Sequence, residues 1–277
     1  MICMISAQRA VPTTVIRAND SFRRFKPEPS HEVRQADLHG QSLVQQAKRT
    51  REMLRSMDPE TVKQLTEVRM GLPFFQALAL AKQEGKIIAP NFVHDRILTE
   101  TKDEKYLEQN YSVWTGTLAI YEAPDKPFGK EVVSYWKYNY DVEYSISFKV
   151  PKQFQGKTNC ALVIEHPDFE LINIGNNNYE LRVDEQSVRL IQNFPKKDGW
   201  YIPHSETKIP HGKKVEQGPD SRYLWRIADS SFIGPLFREF IHFGGFGGWD
   251  IGAYYRFCVA FGVHMVPLTA MPSNSDR

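Results

Sequence analysis

The stretch Asp141-Val142-Glu143-Tyr144-Ser145-Ile146-Ser147-Phe148-Lys149-Val150 alternates without a break. Val142, Tyr144, Ile146, Phe148 and Val150 fall on one side, and Glu143, Ser145, Ser147 and Lys149 on the other. Period two with one apolar side is the signature of a half-buried strand in an antiparallel sheet. Shorter runs around it read the same way: Val113–Tyr121, Cys160–Glu165, Phe169–Ile174, Tyr179–Val183 and Val188–Gln192. Turn chemistry separates them at Pro124-Asp125, Asn176-Asn177-Asn178 and Lys197-Asp198-Gly199. No internal repeat of fixed period is present.

Toward the N-terminus the period changes. Gln41 to Met57 carries a sparse helical stripe of Leu43, Val44, Ala47 and Leu54. Asp58-Pro59 then supplies an N-cap followed by proline at the first helical position. Val62, Leu65 and Val68 extend this second helix. A third helix is expected from Pro73 to Glu84, with Phe74, Ala77, Leu78 and Ala81 on one face and Gly85 as the left-handed stop. Residues 1–38 show no period and read as a flexible arm. The expected organisation is therefore an arm (1–38), a helical segment (39–111) and a β-rich body (112–277) that can form one domain with 72–111. The fold class is α+β, with N-terminal helices followed by a mostly antiparallel β body.

Composition narrows the function classes. An apolar fraction of 41% with 25% charged residues is ordinary for a globular chain. The net charge of +2 makes nucleic acid an unexpected partner. No run approaches the roughly 20 apolar residues of a membrane helix. The first residues lack a basic start followed by an apolar core, so the chain is expected to be cytoplasmic. Three cysteines, Cys3, Cys160 and Cys258, are too few and scattered for a disulfide framework.

No catalytic constellation stands out. His204 and His211 share a proline- and lysine-rich loop without the short-spaced partners a zinc site needs. Cys258 has apolar neighbours and reads as a small hydrophobe. Glu165 and Asp168 read as strand-end surface charges. The Gly244–Gly248 cluster lacks the phosphate-loop lysine, and His94-Asp95-Arg96 stands without any other kinase element. No cofactor or metal ion is expected.

The tail differs from the rest. Tyr223 to His264 holds twelve of the chain's 34 aromatic residues, and no lysine follows Lys214. Aromatics pack cores, but residues alternating along strands cannot all point inward. Aromatic side chains held on a rigid scaffold give large contact area at low entropic cost, as antibody loops do. Phe240, His242, Phe243, Phe246, Asp250, Tyr254, Tyr255 and Phe257 are the expected ligand-binding residues. Trp225, Ile227, Leu236, Val259, Phe261 and Val263 are the expected scaffold, with Trp225 inside and Leu224 and Arg226 alternating away from it.

Two stretches carry a resemblance. Gly71-Leu72-Pro73-Phe74-Phe75-Gln76-Ala77-Leu78 is similar to the leucine-proline-helix segment of C-type lectin-like folds of the formylglycine-generating-enzyme kind. Gly247-Gly248-Trp249-Asp250-Ile251-Gly252-Ala253-Tyr254-Tyr255-Arg256-Phe257, leading to Phe261-Gly262-Val263, resembles that fold's glycine–tryptophan loop and last strand. The tail also resembles the variable C-terminus of proteins diversified by retroelements, in which adenine-directed copying rewrites AAC and AAT codons. Such codons do not become Lys, Glu, Gln, Met or Trp, and between Phe237 and Val263 just Glu239 and Trp249 belong to that set. His264 stands where the family places an arginine, and the family's oxygenase cysteine pair has no counterpart. The resemblance implies a C-type lectin-like C-terminal region and a non-enzymatic protein presenting a diversified surface to a ligand, expected to be another protein. Two alternatives stay open. One is a hydrolase with a site assembled from His204, His211, Asp229 and Asp250; the other is a structural subunit of a phage or mobile-element particle.

Overall fold

The computed structural model describes residues 43–101, 112–138, 142–226, 230–243, 246–253 and 261–268; for 43–44, 112, 136–138, 142, 239–243, 246–253 and 261–262 it describes the backbone alone. Helix α1 (Leu43–Ser56) buries Ala47 and Leu54. Helix α2 (Pro59–Leu65) begins as its sequence requires: the Asp58 carboxylate accepts from the Thr61 N–H at 2.9 Å, ahead of a proline. It stops earlier than expected. Thr66 is extended (φ −85°, ψ 119°), and Val68 belongs to strand β1 (Glu67–Leu72), 41% exposed. Helix continuation lost there because the β1 backbone finds a sheet partner in the last strand, Val68 opposite His264. Helix α3 (Phe74–Gln83) follows Pro73, buries Phe74, Ala77 and Ala81, and ends before Gly85 at φ 61°. Strand β2 (Lys86–Ile88) and the short helix α4 (Asn91–Arg96) complete the segment, with Ile97–Thr101 continuing as a π-helical turn.

The rest is mostly strand: β3 (Ser112–Tyr121), β4 (Glu131–Tyr138), β5 (Val142–Lys149), β6 (Cys160–Glu165), β7 (Phe169–Gly175), β8 (Asn178–Val183), β9 (Arg189–Gln192), β10 (Gly199–Pro203), β11 (Pro210–Val215), β12 (Arg222–Trp225), β13 (Phe232–Phe243), β14 (Phe246–Ala253) and β15 (Phe261–Pro267). The chain is thus mixed α+β with strands predominating. Eleven strands form one sheet along the path β1-β15-β3-β13-β14-β12-β10-β11, with β2 on β15 and β6 and β9 extending from β3. Four form a second sheet, β4-β5-β8-β7. Pairing is antiparallel except for β12–β14, β15–β3 and β5–β8.

Strand β5 behaves as its alternation dictates. Ile146, Phe148 and Val150 are buried, Tyr144 is half-buried, and Glu143 and Lys149 are exposed. The β7–β8 connection turns on Asn176 and Asn177 at φ 51° and 60°, the positive pair a tight hairpin needs. Residues of the smaller sheet such as Phe148 and Leu181 share one buried cluster with Trp114, Leu118 and Ile164 of the larger sheet. A second cluster joins the helices to the sheet through Leu54, Val62, Ile87, Phe92 and Val266. Where the chain after β2 crosses β3, Gly116 is required: a Cβ there would lie 2.1 Å from the Ile88 carbonyl oxygen. Among the described residues no helix is long and apolar enough to cross a membrane.

Candidate functional site

Five of the eight expected binding residues, Phe240, His242, Phe243, Phe246 and Asp250, fall in one hairpin. Strands β13 and β14 pair from Leu236 opposite Ala253 to Phe243 opposite Phe246. Within that register Phe240 faces Trp249, His242 faces Gly247, and Asp250 lies between Glu239 of β13 and Tyr223 of β12. Gly244 and Gly245, which join the strands, and Tyr254, Tyr255 and Phe257 lie outside the described residues. So do Ile227, Asp229, Cys258 and Val259.

Beneath this hairpin is a buried polar cluster that the sequence reading passed over. Arg238 of β13 is 0% exposed. Its Nε donates to Asn91 Oδ1 at 2.8 Å and its Nη2 to Asp95 Oδ1 at 2.9 Å. Asp95 also accepts from Arg222 Nε of β12 at 2.7 Å. Asn91 and Asp95 are four residues apart, one turn of α4, so a single short helix grips both strands that flank β14. Asn91 extends the grip, donating its amide to the Thr207 carbonyl at 2.8 Å while its backbone N–H donates to Thr117 Oγ1 at 2.9 Å. Burial alone would raise the Asp95 carboxyl, but Arg238 and Arg222 outweigh it and hold it below the usual carboxylate range. Next to this cluster, His94 of α4 stands 5.0 Å from His264 of β15, ring to ring. Burial drives His94 well below its ordinary range, with His264 and Arg238 adding to the effect, and burial pushes His264 down to about 4. Both rings are therefore neutral near pH 7.

Strand β12 corrects the expected phase of the tail. Leu224 is 1% exposed and Arg222 and Arg226 are buried, whereas Trp225 is half-buried. The inward side is taken by Arg222 because Asp95 awaits it there, and Leu224 follows in register. The other side of β10 and β12 carries an aromatic row. Trp200 and Tyr223 meet edge to face at 5.3 Å, and Tyr223 and Trp225 lie 4.9 Å apart. All three are half-buried. Trp225 pairs across to Gly252 of β14, so the row adjoins the hairpin. Partly open aromatics on paired strands, fixed from below by charge-assisted hydrogen bonds, form a rigid contact face.

The alternative site is partly assembled. The His204 and His211 rings lie 5.4 Å apart because β10 and β11 form a hairpin with Pro203 opposite Pro210. His211 is thus a strand residue, and His204 Nδ1 accepts from the Thr207 N–H at 3.5 Å in the connecting turn. The side chain of Asp250 is not described. Among the described residues no three His, Cys, Asp or Glu side chains are grouped to hold a metal ion.

Glu165 and Asp168 are not surface charges. Each is 4% exposed. Arg51 Nη2 donates to Asp168 Oδ2 at 2.8 Å, Arg55 Nη2 to Glu165 Oε2 at 2.9 Å, and Lys48 reaches Asp184 at 2.5 Å. These carboxylates are buried because three cations at helical spacing on α1 lie over them. The visible signal in the sequence was Lys48, Arg51 and Arg55 at i, i+3 and i+7, a basic stripe on one helix face.

Comparison with family models, with curated proteins and with solved structures found no match to this chain.

Proposed function

We propose that this chain is a non-enzymatic ligand-binding protein whose reading face is built from the β13–β14 hairpin and the aromatic row beside it. The observation that carries the reading is the row Trp200, Tyr223 and Trp225. These are three large aromatics, half-buried rather than sunk in the core, on strands adjoining the segment whose composition matches a diversified tail. Tyrosine and tryptophan supply binding contact at low entropic cost, and interface anchors are enriched in them. The buried grip of Asn91 and Asp95 on β13 and β12 suits such a role, because it secures the strands from one side and leaves residues on the other free to vary.

A C-type lectin-like scaffold is the finer part of the proposal. Its support is that the two stretches carrying the resemblance meet: Leu72, just before α3, pairs with Phe261 at the start of β15. The partner class is proposed to be protein, since a broad aromatic strand face suits a surface better than a small solute.

The test is at the gene. The locus should contain a near-identical repeat of the 3′ coding end, differing from it at adenine positions and lying beside a reverse transcriptase. A complete locus lacking both removes the diversification reading. At the protein level, Tyr223→Ala should change unfolding free energy by about 1 kcal/mol or less. A loss of about 3 kcal/mol or more in a urea melt would return the row to the core.

A further inference from the structure

A cavity of about 350 Å³ lies between α1, α3, β2 and β7, away from the tail and independent of the function proposed above. Phe75, Leu78, Ala79, Phe169, Leu171 and Leu268 supply much of its apolar wall. That volume lies at the lower end of the range for small-molecule sites. At about 30 Å³ per water-sized group it holds roughly a dozen non-hydrogen atoms.

One polar group in the wall is unusual. His166 is 7% exposed, and its Nδ1 accepts from the Ile88 N–H at 3.3 Å. Burial, with Arg51 adding, pushes the imidazole down to about 3, so the ring is neutral at pH 7. With Nδ1 accepting, the proton sits on Nε2. Nothing among the described residues accepts from that N–H. That nitrogen is not among the fully buried unpartnered side-chain atoms, so it keeps an accessible edge at the cavity wall where a bound acceptor can meet it. The charges in the wall are already matched: Lys82 with Glu170 at 3.2 Å, and Lys86 with Glu67 at 2.8 Å and Glu84 at 2.7 Å. Among the described residues the cavity wall therefore offers apolar surface, one neutral hydrogen-bond donor and no unpaired charge for an ionic ligand.

We propose that this cavity binds an uncharged, largely apolar small molecule whose single hydrogen-bond acceptor meets the His166 Nε2–H. Medium-chain ketones and esters have that chemistry.

The full-length chain can be titrated by ligand-observed NMR with three probes of similar length: 2-undecanone, decanoate and decylammonium. The expected result is saturable binding of the ketone, with both ions at least about tenfold weaker, since no unpaired charge awaits them. Ala79→Trp fills the cavity from its exposed side and should abolish ketone binding while the protein stays folded. His166→Asn keeps an acceptor for the Ile88 N–H but withdraws the Nε2 donor. It should weaken the ketone about 3–10-fold. Absence of saturable ketone binding, equal affinity for all three probes, tighter binding of either ion, or ketone binding untouched by Ala79→Trp would each overturn the proposal.

Discussion

Two of the buried charge clusters among the described residues are balanced differently. Under the hairpin, Asp95 is shared by Arg238 and Arg222, at 0% and 5% side-chain exposure, and the carboxyl is held below its usual range. Under α1, Glu165 meets Arg55, 22% exposed, and Arg51 at 3.5 Å, yet burial raises its carboxyl above the usual range against their pull. The difference is one of geometry. Two short charge-assisted bonds from two strands converge on Asp95, whereas Glu165 receives one, from Arg55, with Arg51 standing off at 3.5 Å. Arg51 also donates to the Glu165 carbonyl at 3.2 Å, and Arg55 to the Glu206 carbonyl at 3.0 Å. The first cluster holds sheet strands in register; the second holds a helix against the body.

Each cluster has a buried neutral imidazole beside it, and acid is the largest lever on both. His264 and His166 have folded values near 4 and 3, below the ordinary 6.5 that the unfolded chain restores. Their stabilising contribution is complete above pH 6.5 and is lost as pH falls, because the unfolded chain takes up protons that the native state refuses. At about 1.4 kcal/mol per pH unit for each, the pair costs about 4 kcal/mol between pH 6.5 and 5, with His94 acting in the same direction. Glu165 works the other way: its raised carboxyl lowers stability at neutral pH, and that cost fades on acidification. Urea unfolding at pH 7 and pH 5 measures the balance. Equal midpoints would mean that these rings are protonated in the native state and that neither cluster is dry.

The next effect separates the clusters directly. Asp95→Asn leaves Arg238 and Arg222 without their shared carboxylate and should cost about 3–5 kcal/mol at pH 7, as breaking a buried ion pair does. A cost below about 1 kcal/mol in the same melt would show that Asp95 is not what balances those guanidiniums.

The smallest effect belongs to the other cluster. Glu165→Gln should change stability by about 1 kcal/mol or less, because burial already penalises the carboxylate, Gln keeps an oxygen for Arg55, and Arg51 keeps Asp168. If this substitution cost as much as Asp95→Asn, the contrast between the clusters would collapse.

Legibility in the sequence followed locality. Strand β5 was readable because one face is core and one is water, so alternation records burial directly. Strand β12 was not, because Arg-Tyr-Leu-Trp has a bulky residue at every position after the arginine. The inward side went to Leu224 because Arg222 had a carboxylate to reach. Glu165 and Asp168 misled for a related reason: a carboxylate beside a strand end is ordinarily solvated, and nothing in its own neighbourhood announces three cations more than a hundred residues earlier. Of the expected binding residues, five fall into one paired hairpin, whose second strand, Phe246–Ala253, takes up the stretch that the resemblance reads as a glycine–tryptophan loop.

By itself the sequence determined what lies within the reach of one element. The cap at Asp58, the helix that stops at Gly85, the positive-φ turn at Asn176 and Asn177, and the buried face of β5 all rest on neighbours within about four residues. Tertiary structure alone decided the partners of charge. Arg238 and Asp95 are separated by 143 residues, and neither carries a local pattern that names the other. A hydrogen bond between them exists because the order of eleven strands brings β13 over α4, and sheet order is a property of the whole chain.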